Sequence, residues 1–241
     1  LLLYGGMATI AYGISGMLAS QTLGRLAGFN LLVSSGTLLA AIGAGHAGAT
    51  GAALYYLVVS TLGSAAFFLL IELVERARTP GADVLAVTAA AFGIGGEEPE
   101  PEHETGVAIP ASMALLGLSF VCCALLAAGL PPLPAFVAKF ALLAALLGPD
   151  PVPGAAWALL VLLTLSGLAA IIAMSRSGVR IFWGGTATPP RVRLIEMAPV
   201  AVLLGLCFAL TVAAGPAMEY LSRTAHALHA PGGYIESVLT P

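Results

Sequence analysis

Apolar residues in this chain do not alternate with polar ones; they run on in long continuous blocks, and the polar positions cut the sequence into seven such blocks. The first is Leu1–Ala19, closed by Ser20-Gln21-Thr22, and the second is Leu26–Ala44, which leads into the small-residue turn Gly43–Gly51. The third, Ala52–Val74, stops at Glu75, Arg76 and Arg78, and the fourth is Val107–Ala128. Leu133–Leu147, Ala155–Met174 and Met197–Ala214 follow. A helix needs about 20 apolar residues to cross a hydrocarbon core of roughly 30 Å, and most of these blocks are that long. Because they are continuous, the spans are expected to be helices and not barrel strands, whose residues alternate between lipid and lumen. The predicted fold is therefore all-α: a polytopic transmembrane helix bundle of about seven helices over residues 1–216, followed by a polar C-terminal tail, 217–241.

The interruptions sharpen this picture. Residues 79–106 form the only long polar segment, including Glu97-Glu98-Pro99-Glu100-Pro101-Glu102-His103-Glu104. Proline and like-charge repulsion make it a solvated loop, inside which Val84–Phe92 is too short to cross and suits the interface. After the fourth block, Gly129-Leu130-Pro131-Pro132-Leu133-Pro134 breaks the helix, since prolines remove backbone donors and crowd the preceding turn. The fifth block would be only about 22 Å long as a helix, so a short or half-spanning helix is expected around Lys139. Gly148–Gly154 separates it from the sixth block. The tail carries Glu219, Arg223, His226, His229 and Glu236.

Composition supports the membrane reading: 59% of residues are hydrophobic and 9% are charged. A soluble fold could not cover that much apolar surface, whereas lipid can. The 29 glycines suit close helix–helix approach in a bilayer. A net charge of −3 argues against a nucleic-acid partner. Cys122, Cys123 and Cys207 fall inside apolar blocks without C-x-x-C spacing and read as small buried residues. No set of His, Cys or carboxylates has metal-site spacing, and no phosphate-loop, nucleophile-elbow or zinc-protease motif occurs. No metal, cofactor or enzymatic site is expected. Leu1 already lies in an apolar run with no basic n-region, so that run is not a signal peptide, and an upstream portion of the polypeptide is expected. Arg176, Arg180, Arg191 and Arg193 favour a cytoplasmic 175–194. Simple alternation of the spans places Arg25, Arg76, Arg78 and Arg223 on the opposite side.

Lys139 is the only lysine in the chain and sits in the middle of the fifth block. It lies about 10 Å from either end by helical rise, a long reach for a snorkelling side chain. A charge at that depth is costly and by default marks an ion or proton path. Burial disfavours the ammonium and brings its neutral form within reach, which is what a proton relay needs. Broken backbone on either side also calls for a wet or protein-lined cavity. The alternative is a structural ion pair, with Glu72, Glu75 and Glu196 available only near helix ends. Arg25, at the junction Leu23-Gly24-Arg25-Leu26, fits an interfacial anchor or a path residue equally well.

The segment Gly129-Leu130-Pro131-Pro132-Leu133-Pro134-Ala135-Phe136-Val137-Ala138-Lys139-Phe140 resembles the G-[LIF]-P-P-L-x-x-F-x-x-K-[FW] motif of antiporter-like membrane subunits. Such subunits occur in respiratory complex I, membrane hydrogenases and Mrp-type multisubunit cation/proton antiporters. Leu23–Gly36 resembles their D-[LI]-K-R-L junction, Ala53–Leu70 the following helix, and Arg180-Ile181-Phe182-Trp183-Gly184 their R-x-F-[WY]-G segment. Pro231-Gly232-Gly233-Tyr234-Ile235-Glu236-Ser237-Val238-Leu239 resembles the ending of the D-type (PhaD-like) Mrp subunits. The resemblance spans the chain as the C-terminal half of a fourteen-helix subunit. It implies a bacterial inner-membrane protein in a hetero-oligomer with other hydrophobic Mrp subunits, exchanging H+ for Na+, with Lys139 in the second proton half-channel. Gly24 stands where the family has a lysine, and Val59–Ser60 where it often has a histidine, so Lys139 would work with water and Ser60 or Thr61. Two other readings stay open: a redox-driven proton-pumping subunit, and a structural subunit that has lost transport.

Overall fold

A computed structural model of the chain describes residues 1–77, 111–148, 151–182, 194–230 and 232. The loop 79–106 with its Val84–Phe92 stretch, Arg78, Arg191, Arg193, Trp183-Gly184 and the Tyr234–Leu239 ending lie outside the described residues. The described elements are helices: α1 Leu2–Ala19, α2 Leu23–Gly43, α3 Ala47–Ala77, α4 Ala111–Ala128, α5 Pro134–Leu147, α6 Gly154–Phe182, α7 Leu194–Val212 and α8 Ala214–His229. On length and composition, α1, α2, α3 and α6 can each cross a membrane alone, and α7 with α8 forms a pair bent by 80°.

Helices α1 and α2 pair as an antiparallel hairpin along a seam of small residues. A Cβ added to Gly36 would come within 2.8 Å of the Gly6 carbonyl, so the backbones touch where only glycine fits. Van der Waals contact of this kind holds helices together in lipid, where apolar burial offers no net gain. The Ser20–Gln21 turn between them is fastened from outside the hairpin. Nη2 of Arg176 donates to the carbonyls of Leu18 at 2.9 Å and Ser20 at 2.7 Å, and Nη1 of Arg180 donates to Gln21 at 3.0 Å. Both arginines lie near the C-terminus of α6, so α6 ends where α1 ends and α2 begins.

The remaining packing fixes direction. Phe120 of α4 meets Phe182 of α6 edge-to-face at 5.6 Å, while the α4 C-terminus reaches Gly167 of α6. Gly63 of α3 faces Leu126 of α4, and Gly48 faces Ala145 of α5. Hence α4 and then α5 descend antiparallel to both α3 and α6. The fourth and fifth apolar blocks are two halves of one broken crossing and not two separate spans. The second half, α5, has only 14 residues and is too short to cross alone, and end to end the two match the length of α3 and α6.

This pairing corrects the side assignment expected from simple alternation. With one broken crossing in place of two, Arg25 shares an end of the bundle with Arg176 and Arg180, and Arg223 on α8 lies at the other. The tail also differs from expectation in its first part, which is a helix. On α8, Ala217, Leu221, Ser222 and Ala225 face inward, with Ala225 fully buried and Ser222 against Gly51 of α3. Outward, Glu219 pairs with Arg223 one turn on, and Thr50 meets His229 Nε2 at 3.0 Å at the far end. An amphipathic helix lying at 80° to the last span is suited to the membrane interface.

Candidate functional site

The site begins with two backbone carbonyls that the sequence itself leaves without helical partners. In a helix, the carbonyls of Ala127 and Ala128 would accept from the amides of residues 131 and 132, and both are prolines with no N–H. Helix α4 therefore closes one step earlier. Gly129 adopts φ +73°, its amide donates to Leu126 at 3.2 Å, and Leu130 donates to Leu125 at 3.1 Å. This pair of bonds is a Schellman closure, which satisfies Leu125 and Leu126. Leu133 then starts α5, with Pro134 in the first turn, where a missing donor costs nothing.

Lys139 supplies the missing donor. Its Nζ reaches back across the break and donates to the Ala128 carbonyl at 3.2 Å. The side chain lies over Gly129, where a Cβ would fall 2.8 Å from Lys139 Cδ and 2.9 Å from Nζ. Gly129 is thus required twice, for the left-handed turn and for the space the lysine occupies. On the far side of the same carbonyl, a Cβ on Gly167 would fall 2.7 Å from Ala128 O. The ammonium faces the negative end of the α4 dipole, a favourable arrangement for a cation. Gly167 lies near the midpoint of α6, about 20 Å from either end at about 1.5 Å per residue. The break and the lysine therefore sit at mid-depth.

Next to the break is a small cavity of about 30 Å³ between α2, α3, α4 and α5. Asn30 and Ser34 face it from α2, Tyr56, Ser60 and Ser64 from α3, Cys123 and Ala127 from α4, and Ala135 from α5. The hydroxyl of Tyr56 donates to Ser34 Oγ at 3.2 Å. Val59, also on its wall, is buried.

The structure thus gathers Lys139, Gly129, Pro131, Pro132 and Pro134 at one point and puts Ser60 on the adjoining cavity, its own hydroxyl donating to Leu57 O at 3.2 Å. Thr61 is not brought there: it faces outward, and its hydroxyl is taken by Leu57 O at 2.7 Å. Arg25 is not brought there either, being exposed in the first turn of α2 at the arginine-bearing end. Asn30, Ser34, Tyr56 and Ser64 are additions. Their signal was present as polar positions four apart, 30 and 34 on one helix and 56, 60 and 64 on the next, in otherwise apolar spans. Among the described residues, no three His, Cys, Asp or Glu side chains converge as a metal site.

No protein-family model matches the chain. Over 99% of its length it is 56% identical to a probable K(+)/H(+) antiporter D-type subunit of Rhizobium meliloti, and over 96% it is 26% identical to the corresponding Na(+)/H(+) antiporter protein of Bacillus subtilis. It covers 46% and 43% of those proteins, so it spans about half the length of the curated relatives it matches. Its fold matches a chain in the structure of the Mrp complex from Dietzia sp. DQ12-45-1b with a TM-score of 0.73 at 19% identity, covering 99% of this chain and 48% of that one. The chain is an integral membrane polypeptide, similar along nearly its whole length in sequence to D-type subunits of cation/proton antiporters and in fold to a chain of an Mrp complex.

Proposed function

We propose that this chain forms the part of a monovalent-cation/proton antiporter subunit in which Lys139 relays protons at mid-membrane. The observation that carries the reading is the ammonium of Lys139 held on the Ala128 carbonyl at a helix break. A charged lysine at that depth is expensive unless something there uses it, and the carbonyl gives the protonated form a partner that the neutral amine holds less strongly. Losing the proton loosens the bond and frees the side chain to move. Proton transfer and side-chain motion are then coupled in one residue.

The exchanged ion is a monovalent cation. Na+ was the expectation from resemblance, but the relative of 56% identity is named for K+ and that of 26% for Na+, so both belong in the assay. The partners are further hydrophobic subunits of an Mrp-like assembly, and the protein acts as a transporter subunit and not as an enzyme. Ser60, on the cavity beside the break, is the hydroxyl within reach of the lysine's surroundings; Arg25 serves as an interfacial anchor. By the positive-inside rule the end bearing Arg25, Arg176 and Arg180 faces the cytoplasm.

The test is cation-dependent proton exchange in everted vesicles carrying the complete complex, with K+ and with Na+, comparing native protein and Lys139→Ala. Loss of exchange with normal assembly is the expected result. Unchanged exchange would make Lys139 structural and the chain a scaffold.

A further inference from the structure

The end of the bundle shared by Arg25, Arg176 and Arg180 gathers positive charge that its fold contacts do not offset. Arg176 and Arg180 both reach the Ser20–Gln21 turn, and Arg25 stands one helical turn beyond it, at the start of α2. All three are exposed, and among the described residues none is paired with a carboxylate; the Glu219–Arg223 pair lies at the opposite end. Like charges at the rim of a low-dielectric bundle repel unless an anion stands among them. The two fastened arginines each use one terminal nitrogen on the turn, Nη2 of Arg176 and Nη1 of Arg180. A guanidinium carries five N–H donors in a planar fork that fits phosphate oxygens, so most of each fork remains to meet an anion. Depth indicates which anion. Arg176 and Arg180 follow Gly167, at mid-depth, by nine and thirteen residues, which puts them about 14 and 20 Å from the midplane. The hydrocarbon of one leaflet is about 15 Å thick, so the pair straddles the level of the lipid phosphates. Inward along the same face of α6 come Ile172 and then Leu168, at steps of four residues, 48% and 52% exposed. Apolar, apolar, basic, basic thus run in order from mid-membrane to its surface, the order of tail and head in a phospholipid.

We propose that Arg25, Arg176 and Arg180 form a binding site for the phosphate of an anionic phospholipid, whose acyl chain lies along Ile172 and Leu168. Basic groups between spans at a membrane surface are suited to such headgroups. A zwitterionic lipid fits less well, because it brings an ammonium along with its phosphate. The bound headgroup neutralises the three guanidiniums and ties the α1–α2 hairpin to the end of α6. Gly24, beside Arg25, has open space where a side chain would stand, which lets a headgroup approach the start of α2. The site is separate from Lys139, so it stands or falls independently of the relay.

The test uses the complete complex in phosphatidylcholine vesicles carrying a trace of headgroup-photoactivatable phosphatidylglycerol or, in parallel, phosphatidylcholine, with the labelled peptides mapped by mass. Phosphatidylglycerol is expected to label the peptides holding Arg25 and Arg176–Arg180 well above phosphatidylcholine. Arg25→Gln and Arg180→Gln are each expected to lower that labelling about fivefold, the loss of one basic contact at a membrane surface. Labelling of the α8 peptide, whose Arg223 is already paired, should not change and serves as the reference. Equal labelling by the two lipids would overturn the proposal, since charge would then not be read. Absence of labelling by either would also overturn it, because another polypeptide would then cover the arginines. Added inorganic phosphate is expected to leave the labelling as it is; if it abolishes it, the patch binds the free ion and the lipid site falls.

Discussion

At the scale of single residues, the site is decided by which backbone groups lack partners. Pro131 and Pro132 deny donors to Ala127 and Ala128, Gly129 turns the chain, and Lys139 fills one of the two vacated roles from the next helix. Gly129→Ala should therefore act twice. The left-handed turn would cost about 1–2 kcal/mol, and the new methyl would displace the lysine from its carbonyl. The expected outcome is a lower melting temperature of the purified complex together with impaired exchange, whereas a purely structural glycine would change the first and leave the second. Much of this is legible in the sequence. The isolated lysine, its central position and the proline cluster identify the break from sequence, because proline chemistry and the cost of a buried charge do not depend on tertiary context. The lysine's acceptor is not legible. A backbone carbonyl carries no sequence signature, and the partners that a sequence suggests for a lysine are the acids Glu72, Glu75 and Glu196. Thr61 shows the complementary limit: the sequence offers Ser60 and Thr61 as alternatives, adjacent and chemically alike, but neighbours on a helix point about 100° apart, and only the packing says which faces inward.

At the scale of elements, the long helices α3 and α6 act as rails on either side of the broken crossing, each passing α4 near its own midpoint with a glycine, Gly63 and Gly167. The apolar pattern locates them but not their full length: it gives Ala52–Val74 and Ala155–Met174 and puts Arg176 and Arg180 in a loop, whereas the helices run Ala47–Ala77 and Gly154–Phe182. Their service to the break is not legible either. The cap that Arg176 and Arg180 place on the α1–α2 turn is also a product of folding, since 156 residues separate Arg176 from Ser20. Arg176→Ala should leave the Leu18 and Ser20 carbonyls without this donor and cost about 0.5–1.5 kcal/mol, since water can partly replace the guanidinium at this exposed position. Hydrogen exchange by mass spectrometry would register it as faster exchange in peptides covering the start of α2, with α8 unaffected. Little change there would mean that Arg176 is replaced by solvent at no cost. The helical nature of the early tail is of the same kind: residues 217–229 are polar enough to read as a tail, and α8 is ordered by laying Ala217, Leu221 and Ala225 against α3.

At the scale of the whole molecule, joining α4 and α5 into one crossing reverses the side of everything that follows. Arg25, Arg176 and Arg180 come to one end, and the charge asymmetry that was balanced under seven separate spans becomes one-sided. Single cysteines at Gln21 and at His226 should then label from opposite faces of the membrane, Gln21 from the cytoplasm and His226 from outside. Tests with a membrane-impermeant maleimide on right-side-out and everted vesicles decide it, and labelling of both from the same face would restore the count of seven. The sequence by itself determined the membrane setting, the helical class, the place of the break and the residue at its centre, because each follows from local chemistry: runs of apolar side chains, absent amide protons, one charge among them. Only the tertiary structure decided that two short helices share a crossing, that a carbonyl receives the lysine, and that hydroxyls from α2 and α3 meet beside it. Those outcomes depend on which faces the glycine seams allow to touch, a property of pairs of helices that no single stretch of sequence carries.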